Sequence, residues 1–181
     1  MQIETTPTTT DSVARWILET WRTAGIEILF SVPGGPLMPF LRTCKEQQFP
    51  RVVICRHETA ACIMAASYYH DSGRVAAVAV TSGPGAANAA NGVAHALREQ
   101  SALMLLSARP ATRKVGRGAV QDFDSAHFLG TITKRSEQLL HPQQARFLAP
   151  DLLRLACAPT PGPVNLTVCA DQWDLACGGP S

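Results

Sequence analysis

The run Val-Ala-Ala-Val-Ala-Val-Thr at residues 75–81 constrains the fold of this chain more than any other feature. It is apolar throughout, which is typical of a parallel strand covered on both faces. Because apolar runs and helical segments alternate along the chain, we predict an α/β fold: a doubly wound, mostly parallel six-stranded sheet with helices on both faces. The other strands are predicted at residues 26–32, 51–55, 102–107 and 163–168, with a weak one near 131–133.

The helices are predicted from periodicity and from start and stop residues. The first runs from about Asp11 to Ala24 and ends at Gly25. Others begin at the first turn containing Pro36, after Glu58, near Ala86, near Gln121 and near Gln143. The inward face of the first helix is predicted to carry Val13, Trp16, Ile17, Trp21 and Ala24.

Length and composition favour one domain. We predict a mobile lead at residues 1–10, the folded domain at 11–170 and an irregular tail at 171–181. Charged residues make up only 17% of the chain, which suggests that a partner covers some of its surface. The net charge is +2 without a basic block, so nucleic acid is not an expected partner.

The sequence predicts a cytoplasmic protein that does not enter a membrane. The first residues lack the features of a signal peptide, and no apolar run is long enough to span a bilayer. The six cysteines include no Cys-x-x-Cys pair, so we expect reduced thiols rather than a zinc site.

Glu58 is the candidate catalytic residue. It follows the strand at residues 51–55 and precedes a helix of small apolar residues. Carboxyl ends of strands in open α/β sheets are where such sheets bind ligands. Poor solvation there is expected to raise the pKa of the carboxyl group, which suits a residue that gives and takes a proton near neutral pH. The alternative is a structural glutamate paired with Arg56 or His57.

Two glycine-rich loops follow predicted strands on the same expected sheet edge. One is Val-Pro-Gly-Gly at residues 32–35, and the other is Thr-Ser-Gly-Pro-Gly-Ala-Ala-Asn at 81–88. Each alone indicates only a tight turn, because neither is a Walker loop or a dinucleotide fingerprint. Together with Glu58 they favour a ligand site.

These motifs resemble the pyrimidine-binding domain of thiamine-diphosphate enzymes, in the group of acetolactate synthases and 2-oxo-acid decarboxylases. The resemblance extends from about Ser12 to Val168. The matching stretches are residues 25–35, Arg-His-Glu at 56–58, residues 80–88, Val-Gln-Asp at 120–122, Thr-Lys at 133–134 and Pro-Gly-Pro-Val at 161–164.

The resemblance implies a role for each matching position. The glutamate at position 58 would hydrogen-bond the ring nitrogen of the cofactor's aminopyrimidine and favour the tautomer that takes a proton from the thiazolium carbon. Gln121 would approach the substrate, and His57 would lie on the same side, with a structural hydrogen bond as its alternative role. The residues expected to line the pyrimidine pocket are Pro33, Gly34, Glu58, Pro84 and Asn88.

Members of this family hold the cofactor's diphosphate through Mg²⁺ in a second domain marked by Gly-Asp-Gly. This sequence contains no Gly-Asp-Gly, and we predict no metal ligands in it. The resemblance therefore implies the α-type subunit of a split enzyme, as in two-component sulfopyruvate decarboxylases. A β-type subunit would supply the metal site, in a heterotetramer of two α and two β chains.

The expected activity is decarboxylation of a small 2-oxo acid. Alternatives are an acetolactate-synthase-like carboligase, a non-catalytic domain that regulates a complete thiamine enzyme, and a module that binds an unrelated nucleotide. The basic residues of the loop after the fourth strand bind a substrate anion or form a solvated or subunit-contacting surface; they are Arg109, Arg113, Lys114 and Arg117.

Overall fold

A computed structural model describes residues 12–178; the predicted lead at 1–10 and the last three residues of the predicted tail lie outside the described residues. The strands are β1 Ile28–Val32, β2 Arg51–Ile54, β3 Ala76–Val80, β4 Leu103–Arg109, β5 Arg135–Gln138 and β6 Pro163–Cys169. They form one sheet in the order β2-β1-β3-β4-β6-β5. Every neighbouring pair is parallel. The predicted doubly wound sheet is confirmed.

Helices cover both faces of the sheet. They are α1 Val13–Thr23, α2 Met38–Gln47, α3 Glu58–Ser72, α4 Pro84–Arg98, α5 Ser125–Leu129 and α6 Ala145–Cys157. One apolar core joins α1, α2 and α6 to one face of the sheet. A second core joins α3, α4 and α5 to the other face. The fully apolar strand β3 contributes side chains to both cores, as its sequence requires.

Helix α1 begins where Ser12 caps it, with the Ser12 hydroxyl accepting a hydrogen bond from the backbone of Arg15 at 3.4 Å. It ends before Gly25, which has a φ of +74°. Val13, Ile17 and Trp21 are buried as predicted. The predicted inward face was too wide, because Trp16 is half-buried and Ala24 is exposed. The other buried residues of α1 are Ala14 and Leu18.

The weak strand predicted at residues 131–133 is misplaced, because the strand begins four residues later, at Arg135. Those residues form a turn in which the Thr133 hydroxyl donates to the carbonyl of Leu129 at 2.8 Å. The strand is β5, which pairs with β6 at the edge of the sheet. Its sequence, Arg-Ser-Glu-Gln, is polar throughout, so no apolar pattern marked it.

The helix predicted near Gln121 begins four residues later, at Ser125. Asp124 caps it by accepting a hydrogen bond from the backbone of His127 at 3.1 Å. Gln121 itself lies in a turn and has a φ of +65°, which no helix residue can have.

Residues 171–178 form turns that are fixed to the domain. Trp173 is fully buried against Phe40, with ring centroids 5.0 Å apart. Its indole nitrogen donates to the carbonyl of Pro36 at 2.9 Å. The backbone nitrogen of Val13 donates to Leu175 at 3.0 Å. These contacts connect the tail to α1 and to the loop that follows β1. Between residues 12 and 178, no helix is long and apolar enough to cross a membrane.

Candidate functional site

The candidate site lies at the carboxyl edge of the sheet, where the strand order reverses. The chain passes from β1 to β2 on one side and then returns to β3 on the other side of β1. The connections after β1 and β3 therefore run to opposite faces of the sheet, and the crevice where they part is the usual ligand position in such sheets. Both glycine-rich loops and Glu58 lie at this edge, as the sequence predicted.

Glu58 is the first residue of α3, and the residue is only 7% exposed. One carboxylate oxygen, Oε2, accepts a hydrogen bond from the Asn88 side-chain amide at 3.1 Å. The other, Oε1, accepts none from any residue in the described part of the chain. The helix N-terminus favours a negative charge at this position. A nearly buried carboxylate with one free oxygen is therefore presented at the crevice.

Contacts between α3 and α4 set the distance from Glu58 to Asn88. The Thr59 hydroxyl donates to the backbone carbonyl of Asn88 at 2.6 Å. A Cβ on Gly92 would lie 2.5 Å from Cys62 Cβ, so only glycine permits the two helices to be this close. Burial, with the nearby charge of Glu58 as a smaller contribution, raises the pKa of Cys62 to about 12. Cys62 is therefore a packing residue rather than a nucleophile at neutral pH.

The two glycine-rich loops touch each other. A Cβ on Gly34 would lie 2.2 Å from the Thr81 hydroxyl and 2.4 Å from Thr81 Cβ. A Cβ on Gly85 would lie 3.5 Å from Glu58 Oε1. Glycine at these positions brings the backbone of both loops against the crevice and leaves room beside the carboxylate. Pro33 and Pro84 are exposed on the same loops.

Gln121 closes one side of the crevice. Gly83 has a φ of +62°, and a Cβ there would lie 3.0 Å from the Cα of Gln121. The structure thus brings Gln121 to the β3–α4 loop, on a turn rather than on the predicted helix. His57 caps α3, since its Nδ1 accepts a hydrogen bond from the backbone of Thr59 at 3.2 Å. His57 therefore makes the structural hydrogen bond that was expected as its alternative role.

Asp122 holds the loop that carries Gln121, and sequence reasoning missed this role. It accepts hydrogen bonds from the Gly116 backbone at 2.6 Å and from Arg109 Nε at 3.1 Å. These contacts, the Gly116 hydrogen bond first, lower the pKa of Asp122. Arg109 also donates to Gln138 at 2.7 Å. Arg109, the last residue of β4, is therefore occupied within the fold and is the least available of the four candidate cations.

Comparison with known proteins identifies the family. The family model described as "Thiamine pyrophosphate enzyme, N-terminal TPP binding domain" matches residues 11–128. The chain belongs to this family. It is 31% identical over 164 residues to the acetolactate synthase large subunit of Lactococcus lactis, covering 91% of this chain and 28% of that protein.

Two further relatives have comparable similarity. The probable acetolactate synthase large subunit of Methanococcus aeolicus is 33% identical over 150 residues, covering 83% of this chain and 25% of the relative. The 2-hydroxyacyl-CoA lyase 2 of Danio rerio is 32% identical over 148 residues, covering 82% and 24%. The chain thus spans about a quarter of the length of these relatives.

The residues at the site fit the aminopyrimidine of thiamine diphosphate. Glu58 Oε1 is free to face a ring nitrogen, and Gly85 leaves space beside it. No group of three or more His, Cys, Asp or Glu side chains within residues 12–178 is arranged to hold a metal ion.

Proposed function

We propose that this chain is the α-type subunit of a split thiamine-diphosphate-dependent enzyme that decarboxylates a 2-oxo acid. The observation that carries the proposal is the carboxylate of Glu58, nearly buried, with one oxygen bound to Asn88 and the other free. In a domain without a catalytic role, a nearly buried carboxylate that makes no ion pair would only lower the stability, because burying an unpaired charge is costly.

The chain's own residues prepare Glu58 to exchange a proton with the cofactor. When bound, thiamine diphosphate supplies an electron sink for the pair released as carbon dioxide leaves. Asn88 orients the Glu58 carboxylate through Oε2, which would leave Oε1 free to hold or accept a proton at the ring nitrogen of a bound cofactor. His57 fixes the first turn of α3 and with it the backbone of Glu58. The low exposure of the carboxylate would strengthen its interaction with a bound ring.

We propose that a β-type partner completes the site by holding Mg²⁺ and the diphosphate, in a heterotetramer of two α and two β chains. Exposed apolar side chains on α3, the helix that begins with Glu58, support this arrangement. Ile63 and Met64 of α3 are 39% and 37% exposed, and Asn88 and Asn91 of α4 are also exposed. Exposed apolar side chains on a helix that carries part of the site suit a permanent subunit contact.

Carboligation is the second candidate, and the names of the relatives favour it. Two of the three relatives described above are acetolactate synthases or probable ones, and the third is a lyase of 2-hydroxyacyl-CoA. In that case the two-carbon or longer fragment left after decarboxylation is transferred to an acceptor instead of being released. We place either activity in the cytoplasm, where buried thiols such as Cys44 and Cys62 stay reduced.

The proposal is tested by measuring carbon dioxide release from a panel of 2-oxo acids in the presence of thiamine diphosphate and Mg²⁺. The chain is assayed alone and together with a co-purified β-type chain that contains Gly-Asp-Gly. Activity that needs both chains supports the split enzyme, and condensed products in the same reactions identify carboligation. Activity of the chain alone contradicts the need for a partner. If the β-type chain releases carbon dioxide at the same rate without this chain, this chain has a regulatory role.

A further inference from the structure

The two edges of the sheet differ in chemistry. The strand at one edge, β5, is polar throughout, which discourages another chain from pairing with it. The strand at the other edge, β2, has the sequence Arg-Val-Val-Ile, and its last residue, Ile54, is 62% exposed. An apolar edge strand of this kind is a template on which a further strand can form.

The backbone of β2 has hydrogen-bonding groups that point away from the sheet. The backbone nitrogens of Arg51 and Cys55 donate to carbonyls in and just before β1, at 2.9 and 2.8 Å. Successive residues of a strand turn their backbone groups to opposite sides, so those of Val52 and Ile54 face the open edge. An added strand would meet two N–H groups and two carbonyl groups there.

A groove of about 950 Å³ lies between this edge and α2. Val52 and Ile54 line it from β2, and Met38, which is 51% exposed, lines it from α2. Pro33 and Gly35 also line it, so the groove reaches the glycine-rich loop after β1. Because every second side chain of a strand lies on the same face, alternate side chains of a strand added to β2 would enter this groove.

The surface around the groove is positively charged. Lys45 lines the groove from α2, and strand alternation places Arg51 on the opposite face of β2. Both residues are exposed, and neither makes an ion pair with a carboxylate within residues 12–178. Arg42, the other cation that lines the groove, is already paired with Asp174 at 2.8 Å. A second copy of this chain would add the same unpaired cations, so the charge favours a different partner that carries carboxylates.

We propose that β2 and this groove bind an extended segment of a partner polypeptide, which adds a strand to the sheet. The segment has apolar side chains at alternate positions, which enter the groove, and carboxylates between them, which face Arg51. Backbone hydrogen bonds to Val52 and Ile54 supply affinity, and the alternating side chains supply specificity. The docking site is independent of the proposed function. It lies next to the candidate site along the chain, since Glu58 follows Ile54 by four residues.

The probe is a blocked hexapeptide, acetyl-Glu-Val-Glu-Ile-Glu-Val-amide, titrated into the full chain at fixed ionic strength and followed by calorimetry. The same peptide with lysine in place of glutamate is the comparison. We expect the glutamate peptide to bind at least about fivefold more tightly than the lysine peptide. Amide hydrogen exchange at Val52 and Ile54 should slow at least about tenfold on binding, while exchange in β5 stays unchanged.

Two N-methylated versions of the glutamate peptide test whether a strand is added. One carries N-methyl groups on its three glutamates, and the other carries them on its three apolar residues. Each set of N-methyl groups blocks hydrogen bonding along one edge of the peptide, and a strand pairs with β2 through one edge. One version should therefore lose binding, and which one it is shows whether the added strand runs parallel or antiparallel to β2.

Variants of the chain locate the site. Ile54→Asp places a carboxylate at the groove and should weaken binding of the glutamate peptide at least about tenfold. Leu140→Asp is the matched control, because Leu140 is also 62% exposed and lies just after β5, at the opposite edge of the sheet. Arg51→Gln should remove most of the preference for glutamate over lysine.

Several results would overturn the proposal. These are no binding of the glutamate peptide below about 1 mM, full binding by both N-methylated versions, and an equal loss of binding in Ile54→Asp and Leu140→Asp. Self-association of the full chain in analytical ultracentrifugation that Ile54→Asp abolishes would assign the edge to a second copy instead of a partner segment. A higher affinity for the glutamate peptide in Ile3→Asp would assign the groove to the chain's own first residues, which also overturns the proposal.

Discussion

Replacing Gly34 with alanine should destabilise the domain, because the loops after β1 and β3 are too close to accept one more carbon atom. The new Cβ would lie 2.4 Å from Thr81 Cβ, a distance at which both atoms overlap strongly. Thr81 lies directly after β3 and cannot withdraw without moving the strand end. Overpacking of this kind costs about 1–3 kcal/mol. For a chain of this size, that corresponds to a Tm lower by about 2 to 12 °C.

Gly35→Ala is the matched control, since no atom lies within 4 Å of a Cβ at Gly35. Its free energy of unfolding should stay within about 0.5 kcal/mol of wild type. Urea unfolding followed by circular dichroism gives the comparison directly. If Gly34→Ala unfolded at the same urea concentration as Gly35→Ala, the two loops would not be in contact at Gly34.

A second pair of variants identifies Thr81 as the obstacle. Thr81→Ala keeps the Cβ that meets the new methyl group, so it should not rescue Gly34→Ala. Thr81→Gly removes that carbon and should restore most of the loss. The Thr81 hydroxyl has no hydrogen-bond partner in the described residues, so Thr81→Gly alone should cost about 0.5–1 kcal/mol, mainly in backbone entropy. A coupling near zero between positions 34 and 81 would contradict the packing argument.

Two further predictions concern the residues that hold the site. Asn88→Ala removes the hydrogen bond that Glu58 Oε2 receives, and we expect kcat/KM of the assembled enzyme to fall about tenfold and the unfolding free energy to fall by about 1–3 kcal/mol, because a nearly buried carboxylate loses its partner; an unchanged kcat/KM would mean that Asn88 does not orient Glu58. Asp122→Asn should destabilise the chain at neutral pH, because the folded-state pKa of Asp122 is lowered and its stabilising charge is present above the unfolded pKa. The difference in unfolding free energy from wild type should therefore shrink as the pH falls below about 4, and a difference that stays constant from neutral pH to pH 3 would contradict the role of the charge.

The sequence predicts most of the fold because the central strands are buried on both faces. β3 is apolar at every position, and Gly25 and Gly73 have the positive φ angles that end α1 and α3. β5 escaped prediction because an edge strand with the sequence Arg-Ser-Glu-Gln has no apolar face to bury. Its position is set by pairing with β6, a contact that local sequence does not encode.

The sequence predicts which residues form the candidate site, but it does not predict the contacts between them. Glu58, Gly34 and Asn88 were found from strand-end position and motif resemblance. The hydrogen bond between Glu58 and Asn88 spans 30 residues and depends on how closely α3 approaches α4. The role of Asp122 likewise depends on a loop closure that brings it to Arg109. Such contacts depend on tertiary packing, which local sequence patterns do not reveal.

The central claim is that Glu58 exchanges a proton with the cofactor, and one measurement tests it most directly. Thiamine-diphosphate-dependent carbon dioxide release is compared between wild type and Glu58→Gln, each assembled with the β-type chain. Glutamine keeps the size of the side chain and its contact with Asn88 but loses the exchangeable proton. We expect kcat to fall by at least about 100-fold, with unfolding and subunit association unchanged. If Glu58→Gln kept wild-type turnover, Glu58 would not be the residue that exchanges a proton with the cofactor.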